Sequence, residues 1–69
     1  MTIREQEVLE YIINFKKVNG FSPTIREIAR GINTKSTTHV KEMIDHLSDL
    51  GYISIKQKSP RTIVVKKFI

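Results

Sequence analysis

Apolar residues recur every three or four positions through the first part of the chain and every second position near its end. The first spacing is that of one helix face, and the second is that of one strand face. The change falls at Gly51, after which Ile53, Ile55, Ile63 and Val65 occupy alternate positions. The pattern therefore predicts helices up to Gly51 and two short inward-facing strands, Tyr52–Lys56 and Thr62–Val65, after it.

The first helix is predicted to begin at a capping box formed by Thr2 and Glu5. In such a box the threonine hydroxyl accepts the glutamate N–H, and the glutamate side chain reaches back to the threonine N–H. The apolar face that follows comprises Val8, Leu9, Ile12, Phe15 and Val18. Asn19-Gly20 supplies a left-handed stop.

A second capping box, Thr24 with Glu27, begins the second helix at Ile25, and Asn33 is suited to end it in the left-handed conformation. Ser36 can cap a third helix that Gly51 stops. The predicted buried faces are Ile25, Ile28, Ala29 and Ile32, then Val40, Met43, Ile44, Leu47 and Leu50. An unbroken helix over 25–50 would be about 39 Å long. The break lets the second helix brace the third.

Three helices followed by a hairpin is the order of a winged helix-turn-helix domain, a mainly α (α+β) fold. We expect one domain over residues 1–69, with the helix-turn-helix at about 25–45 and the wing at about 52–66, its strands joined by "QKSPR". Polar residues crowd the third helix from Lys35 to Lys41, whereas Asp45 and Asp49 come later. A helix entering a major groove by its amino end needs that order. A solvated outer face is the alternative interpretation.

The composition limits the classes of function that the chain can have. The 69 residues carry 12 Lys+Arg against 7 Asp+Glu, a net charge of +5, and no acid follows Asp49. A basic end favours nucleic acid as partner. The absence of cysteine, of a long apolar run and of a signal peptide predicts a cytoplasmic protein without disulfides or membrane contact. No serine has a recognisable base and no glycine-rich loop is present, so we expect no enzyme, cofactor or small-molecule substrate.

Single residues of the third helix have two interpretations each. As base readers, Lys41 would contact guanine and Glu42 would accept from cytosine; as surface, both would tolerate alanine. His39 and His46 are about 10.5 Å apart along the axis, too far for one ion without help, which predicts no metal site. His39 is then available for DNA, and His46 should pack at the helix flank. Lys56, Lys58 and Arg61 could contact the DNA backbone or guard an edge strand.

The chain also resembles the DNA-binding domain of LexA-type repressors. The motifs that carry the resemblance are "REQEVLEYI", "GFSPTIREIA", the helix begun by Ser36, "HLSDLGYI" and the strand of Arg61. The resemblance implies repression of DNA-damage-response genes through palindromic operators bound by two copies. It places base contacts at Ser36, Thr38, His39, Lys41 and Glu42, and backbone contacts at Thr24, Arg26, Lys35, Lys58 and Arg61.

Relatives of this kind carry a second, self-cleaving domain for which this chain has no matching residues. The chain is thus expected to be an excised domain or a standalone relative, monomeric in solution, and His39 and Lys41 depart from the family pattern, so that no operator sequence is named. A protein-interaction module from a phage or mobile element, which binds a protein through the same face, is the alternative function. Scarce aromatic residues disfavour single-stranded nucleic acid.

Overall fold

The computed structural model describes residues 2–55 and 63–67. Three helices, α1 (Ile3–Asn19), α2 (Ile25–Gly31) and α3 (Thr37–Asp49), precede two strands, β1 (Ile53–Ile55) and β2 (Ile63–Val65). The strands pair antiparallel, with Ile53 opposite Val65 and Ile55 opposite Ile63. This order confirms the predicted winged helix-turn-helix, and the "QKSPR" connection lies outside the described residues.

Both capping boxes form and fix where their helices begin. The Thr2 hydroxyl accepts from the N–H of Glu5 at 3.1 Å, and the Glu5 carboxylate accepts from the N–H of Thr2 at 2.8 Å. The corresponding distances between Thr24 and Glu27 are 3.2 and 2.8 Å. Each box satisfies two backbone N–H donors that a helix start otherwise leaves without a partner.

The helix ends also follow the predicted signals. Gly20 closes α1 at φ 80°, and Asn33 adopts φ 59° after α2. The N–H of Thr34 donates to the carbonyl of Ala29 at 2.8 Å, and the N–H of Asn33 donates to that of Arg30 at 3.2 Å. These two bonds form a Schellman motif, which fixes the turn between α2 and α3.

The core lies between the three helices and one face of the sheet, and α3 packs against α1, α2 and β1. Its buried apolar members are Val8, Leu9, Ile12, Ile28, Ala29, Ile32, Val40, Met43, Ile44, Leu47, Ile53 and Ile63. Elements on three sides therefore hold α3 in place while its remaining face stays in solvent.

Three residues predicted to be buried are exposed. Val18 is 83% exposed because successive three-residue steps each fall about 60° short of a full turn and carry it off the core stripe. Leu50 is 40% exposed because it follows the last residue of α3, where the chain turns towards Gly51. Ile55 is 38% exposed at the end of β1, away from the connection to α3. The partly buried members of the predicted faces are Phe15, Ile25 and Val65.

Helix α2 approaches α1 closely at Gly31. A Cβ atom on this residue would lie 2.1 Å from Cε2 of Tyr11, well inside contact distance. The Tyr11 ring is itself packed beside Phe15, with ring centroids 5.9 Å apart. A residue without a side chain thus allows α2 to rest against the first helix.

Across residues 2–55 and 63–67, no helix has the length and apolar character needed to cross a membrane.

Candidate nucleic-acid interface

The amino end of α3 is built by Ser36, which confirms the predicted start of this helix. The Ser36 hydroxyl oxygen accepts from the N–H of His39 at 3.1 Å, and the Ser36 N–H donates to the Thr34 hydroxyl at 3.3 Å. No acceptor within the described residues pairs with the N–H groups of Thr37 or Thr38. The first turn of α3 contains no acidic residue. A helix start of this kind is electrostatically suited to an anion.

The side chains predicted to read bases are all on the surface. Thr38, His39, Lys41 and Glu42 are exposed, while Val40 between them is fully buried in the core. The buried stripe fixes the rotation of α3 about its own axis, so the polar residues face outward over two turns. The arrangement presents a hydroxyl, an imidazole, an ammonium and a carboxylate, which together can donate to and accept from base edges.

The residues predicted to contact the DNA backbone fall into three groups. Arg26 and Lys35 line one open groove between α2 and the start of α3. Thr24 lies apart from it as the half-buried cap of α2, and both its N–H and its hydroxyl oxygen are engaged by Glu27. The hydroxyl hydrogen of Thr24 is therefore the donor with which this residue could bind a phosphate. Lys58 and Arg61 of the wing lie outside the described residues.

Arg30 also lines this groove and was not among the residues predicted to contact DNA. It follows Arg26 by four residues on α2, a spacing that places two side chains on the same side of a helix. That spacing was a usable signal. The turn completes the groove with Asn33 and Thr34, which the Schellman motif holds at a fixed distance from α2.

On its other flank, α3 is joined to α1 by a hydrogen bond between a histidine and a glutamate side chain. Nδ1 of His46 contacts Oε2 of Glu5, whose other oxygen Oε1 accepts from the N–H of Thr2 at 2.8 Å. Glu5 is only 5% exposed. The N–H of Thr2 and then the contact with His46 lower the pKa of the Glu5 carboxyl, and both outweigh the opposing effect of burial. His46 thus has the structural role expected of it, through a partner that its own helix does not reveal.

Among residues 2–55 and 63–67, no three His, Cys, Asp or Glu side chains converge on one point. His39 and His46 lie on α3, and the imidazole of His46 is engaged by Glu5.

A helix braced across a short turn, with an exposed polar amino half and a strand pair behind it, defines a winged helix-turn-helix DNA-binding domain. The LexA DNA binding domain family matches residues 1–62 of the chain. The chain belongs to this family.

Individual relatives agree with the family. The chain is 33% identical over 67 residues to the LexA repressor of Myxococcus xanthus, which covers 97% of the chain and 30% of the relative. It is 34% identical over 65 residues to the LexA repressor of Exiguobacterium sibiricum, and this match covers 94% of the chain and 32% of the relative. LexA repressor 1 of Geobacter sulfurreducens is 36% identical to the chain over 62 residues, and this match covers 90% of the chain and 31% of the relative. The chain thus spans less than a third of the length of these relatives.

Proposed function

We propose that this chain is the DNA-binding part of a LexA-type repressor and reads a duplex operator with the amino half of α3. The observation that carries the proposal is the surface of that half. Its polar side chains are exposed, its first turn lacks an acid, and the core holds the helix from three sides. A rigidly held helix of this composition can enter a major groove with little loss of conformational freedom.

Two kinds of contact follow from the positions of the side chains. Base edges would meet Thr38, His39, Lys41 and Glu42, with the hydroxyl hydrogen of Ser36 at the helix start. Lysine suits the acceptors of guanine, and glutamate suits the amino group of cytosine. Backbone phosphates would meet Thr24, Arg26 and Lys35, together with the wing residues Lys58 and Arg61. The first set would give specificity and the second would give register and most of the affinity.

The biological setting is part of the proposal. The relatives are named LexA repressors, and such a role here means repression of DNA-damage-response genes from the cytoplasm, at the nucleoid. Two copies would bind the halves of a palindromic operator, because the symmetry of a site mirrors that of the protein pair. One copy, folded as a single domain over 1–69, would bind a half-site weakly. Binding breaks no bond, so we assign no catalytic residue.

The experiment is selection of bound sequences from a random duplex pool with the full 69-residue chain, followed by affinity measurements at several salt concentrations. With about five phosphates contacted, log affinity should fall against log salt with a slope of about −4.5. A slope near zero, or no enriched sequence, would reject the proposal. Tight, salt-tolerant binding to a protein in place of duplex would favour an interaction module.

The matched variants are Lys41→Ala and Asp49→Ala, two exposed residues of which the first lies in the amino half of α3 and the second is its last residue. Lys41→Ala should cost about 1–3 kcal/mol of discrimination at one base pair of the selected site. Asp49→Ala should leave discrimination unchanged, since it lies at the carboxyl end of the helix. Equal losses from both variants would contradict entry by the amino end.

A further inference from the structure

An open groove runs between α2 and the first turn of α3, beside the surface assigned to base reading. It collects three cations and three uncharged polar side chains, which are Arg26, Arg30, Lys35, Asn33, Thr34 and Thr37. Thr37 belongs both to this groove and to the first turn of α3. The groove is therefore continuous with the amino end of the recognition helix, and we call it the cation groove.

The cations of the groove have no acidic partner in the part of the chain that the structure describes. Arg26, Arg30 and Lys35 form no ion pair there, whereas Arg4 on α1 pairs with Glu7 at 3.0 Å. The nearest acid in sequence, Glu27, uses its carboxylate to accept from the N–H of Thr24. Like charges four residues apart on a helix repel each other, and a cation in the first turn opposes the helix dipole. Arg30, in the last turn of α2, lies at the end where the dipole favours a cation, but its repulsion by Arg26 opposes that gain.

Hydrogen bonds fix the turn that forms one side of the groove. The Schellman motif ties Thr34 to Ala29 at 2.8 Å and Asn33 to Arg30 at 3.2 Å. The Thr34 hydroxyl also accepts from the N–H of Ser36 at 3.3 Å. Because these contacts fix the turn that carries Lys35, the three charges are brought to one place before any ligand arrives, which lowers the entropic cost of binding.

We propose that the cation groove binds backbone phosphates of the same duplex that α3 reads, with Arg30 as a direct phosphate contact. This rests on the proposed function and extends its footprint beyond the recognition helix. A guanidinium fork matches two phosphate oxygens, and an open groove suits a continuous strand better than a small isolated anion. A strand that lies in the groove passes Thr37 and meets α3 at its amino end.

The test compares the wild-type chain with Arg30→Gln on the selected duplex between 50 and 200 mM salt. Loss of one phosphate contact should reduce the magnitude of the salt slope by about 0.9. Between 50 and 200 mM salt, the factor by which affinity falls should therefore be about 3.5 times smaller for Arg30→Gln than for the wild type. The loss should be equal on matched and mismatched duplexes, since a phosphate carries no sequence information. Lys17→Gln, which removes an exposed charge from a separate groove beside Ile13 and Val65, is the matched control and should leave the slope unchanged.

Neutral methylphosphonate groups, placed one at a time along each strand, locate the contact. At one backbone position the substitution should weaken the wild type and leave Arg30→Gln unaffected. Equal sensitivity of both proteins at every position, with equal salt slopes, would overturn the assignment of Arg30. A loss confined to the matched duplex would overturn it too, because it would indicate base reading. Failure of the wild type to bind any duplex would instead reject the proposed function.

Discussion

On one flank of α3, the imidazole of His46 contacts the buried carboxylate of Glu5, while the other flank runs beside three cations without an acidic partner in the described residues. The carboxylate of Glu5 has its partners within the protein, since its oxygens accept from the N–H of Thr2 and contact His46. The three cations are open to solvent. Both flank the same helix and differ in whether the protein itself supplies a hydrogen-bonding or acidic partner for the charged group.

The difference separates charges that stabilise the fold from charges that serve binding. A buried carboxylate must be satisfied internally, because it has lost its hydration. Exposed cations keep their hydration and can exchange it for phosphate. Changes to the Glu5–His46 pair should therefore alter stability and leave DNA contacts intact, and changes to the open groove should do the reverse.

The largest effect should come from Glu5→Ala. The change leaves the N–H of Thr2 and the imidazole of His46 without their partner, and we expect a loss of about 1–3 kcal/mol in the free energy of unfolding. Urea denaturation at neutral pH measures it. Glu10→Ala, an exposed residue on the same helix, is the control and should change stability by less than about 0.5 kcal/mol. Similar values for both variants would mean that the Glu5–His46 contact does not stabilise the protein.

Acid should remove this contribution. The pKa of Glu5 is lowered in the folded protein from the ordinary value of 4.5, first by the N–H of Thr2 and then by His46. A lowered pKa means that the stabilisation is fully present above 4.5 and is lost as the pH falls through the folded value. The difference in unfolding free energy between wild type and Glu5→Gln should shrink on acidification. A difference that grows in acid would contradict the direction of this shift.

A smaller effect should follow Ser36→Ala, at the boundary between the two regions. Loss of the cap to His39 should cost about 1 kcal/mol of stability, and it should also weaken duplex binding, because the helix start that we propose to face DNA loses order. Thr38→Ala is the matched change two residues further on. It should weaken sequence discrimination with no loss of stability, since alanine is the better helix former. Unchanged stability in Ser36→Ala would place the helix start elsewhere.

The smallest effect should have the opposite sign. Arg26→Gln removes one of two like charges four residues apart, so we expect stability to rise by about 0.2–0.5 kcal/mol at low salt. Thermal unfolding should show this as an increase of about 1–4 °C in the midpoint. Arg26→Lys keeps the charge and should leave the midpoint where it is. A clear decrease in Arg26→Gln would mean that the groove stabilises the fold, and the contrast between the two flanks would fail.

Much of the fold could be predicted because its signals are local. The threonine–glutamate boxes, the left-handed Asn33 and the switch of apolar spacing at Gly51 each act within a few residues, and the helix and strand bounds follow them closely. Exposure of the residues at the start of α3 follows equally from the buried position of Val40.

Contacts between distant segments could not be predicted in this way. Glu5 and His46 are 41 residues apart, and periodicity shows which face of a helix is buried without showing which neighbour it meets. The exposure of Leu50 depends on where the chain leaves α3. Arg30 is the intermediate case. Its spacing from Arg26 was visible, but only the turn geometry shows that Lys35 joins them.

The contact between Gly31 and Tyr11 has a consequence for how such a protein can change over time. The phenol ring lies where the Cβ atom of any side chain at position 31 would be, so a larger residue there requires the ring to move or a smaller residue at position 11. A bulkier residue at 31 demands a slimmer one at 11, and we expect paired exchanges at these sites wherever this helix crossing is kept. Single exchanges at position 31 should be less frequent than paired ones, because they displace the Tyr11 ring from its packing beside Phe15.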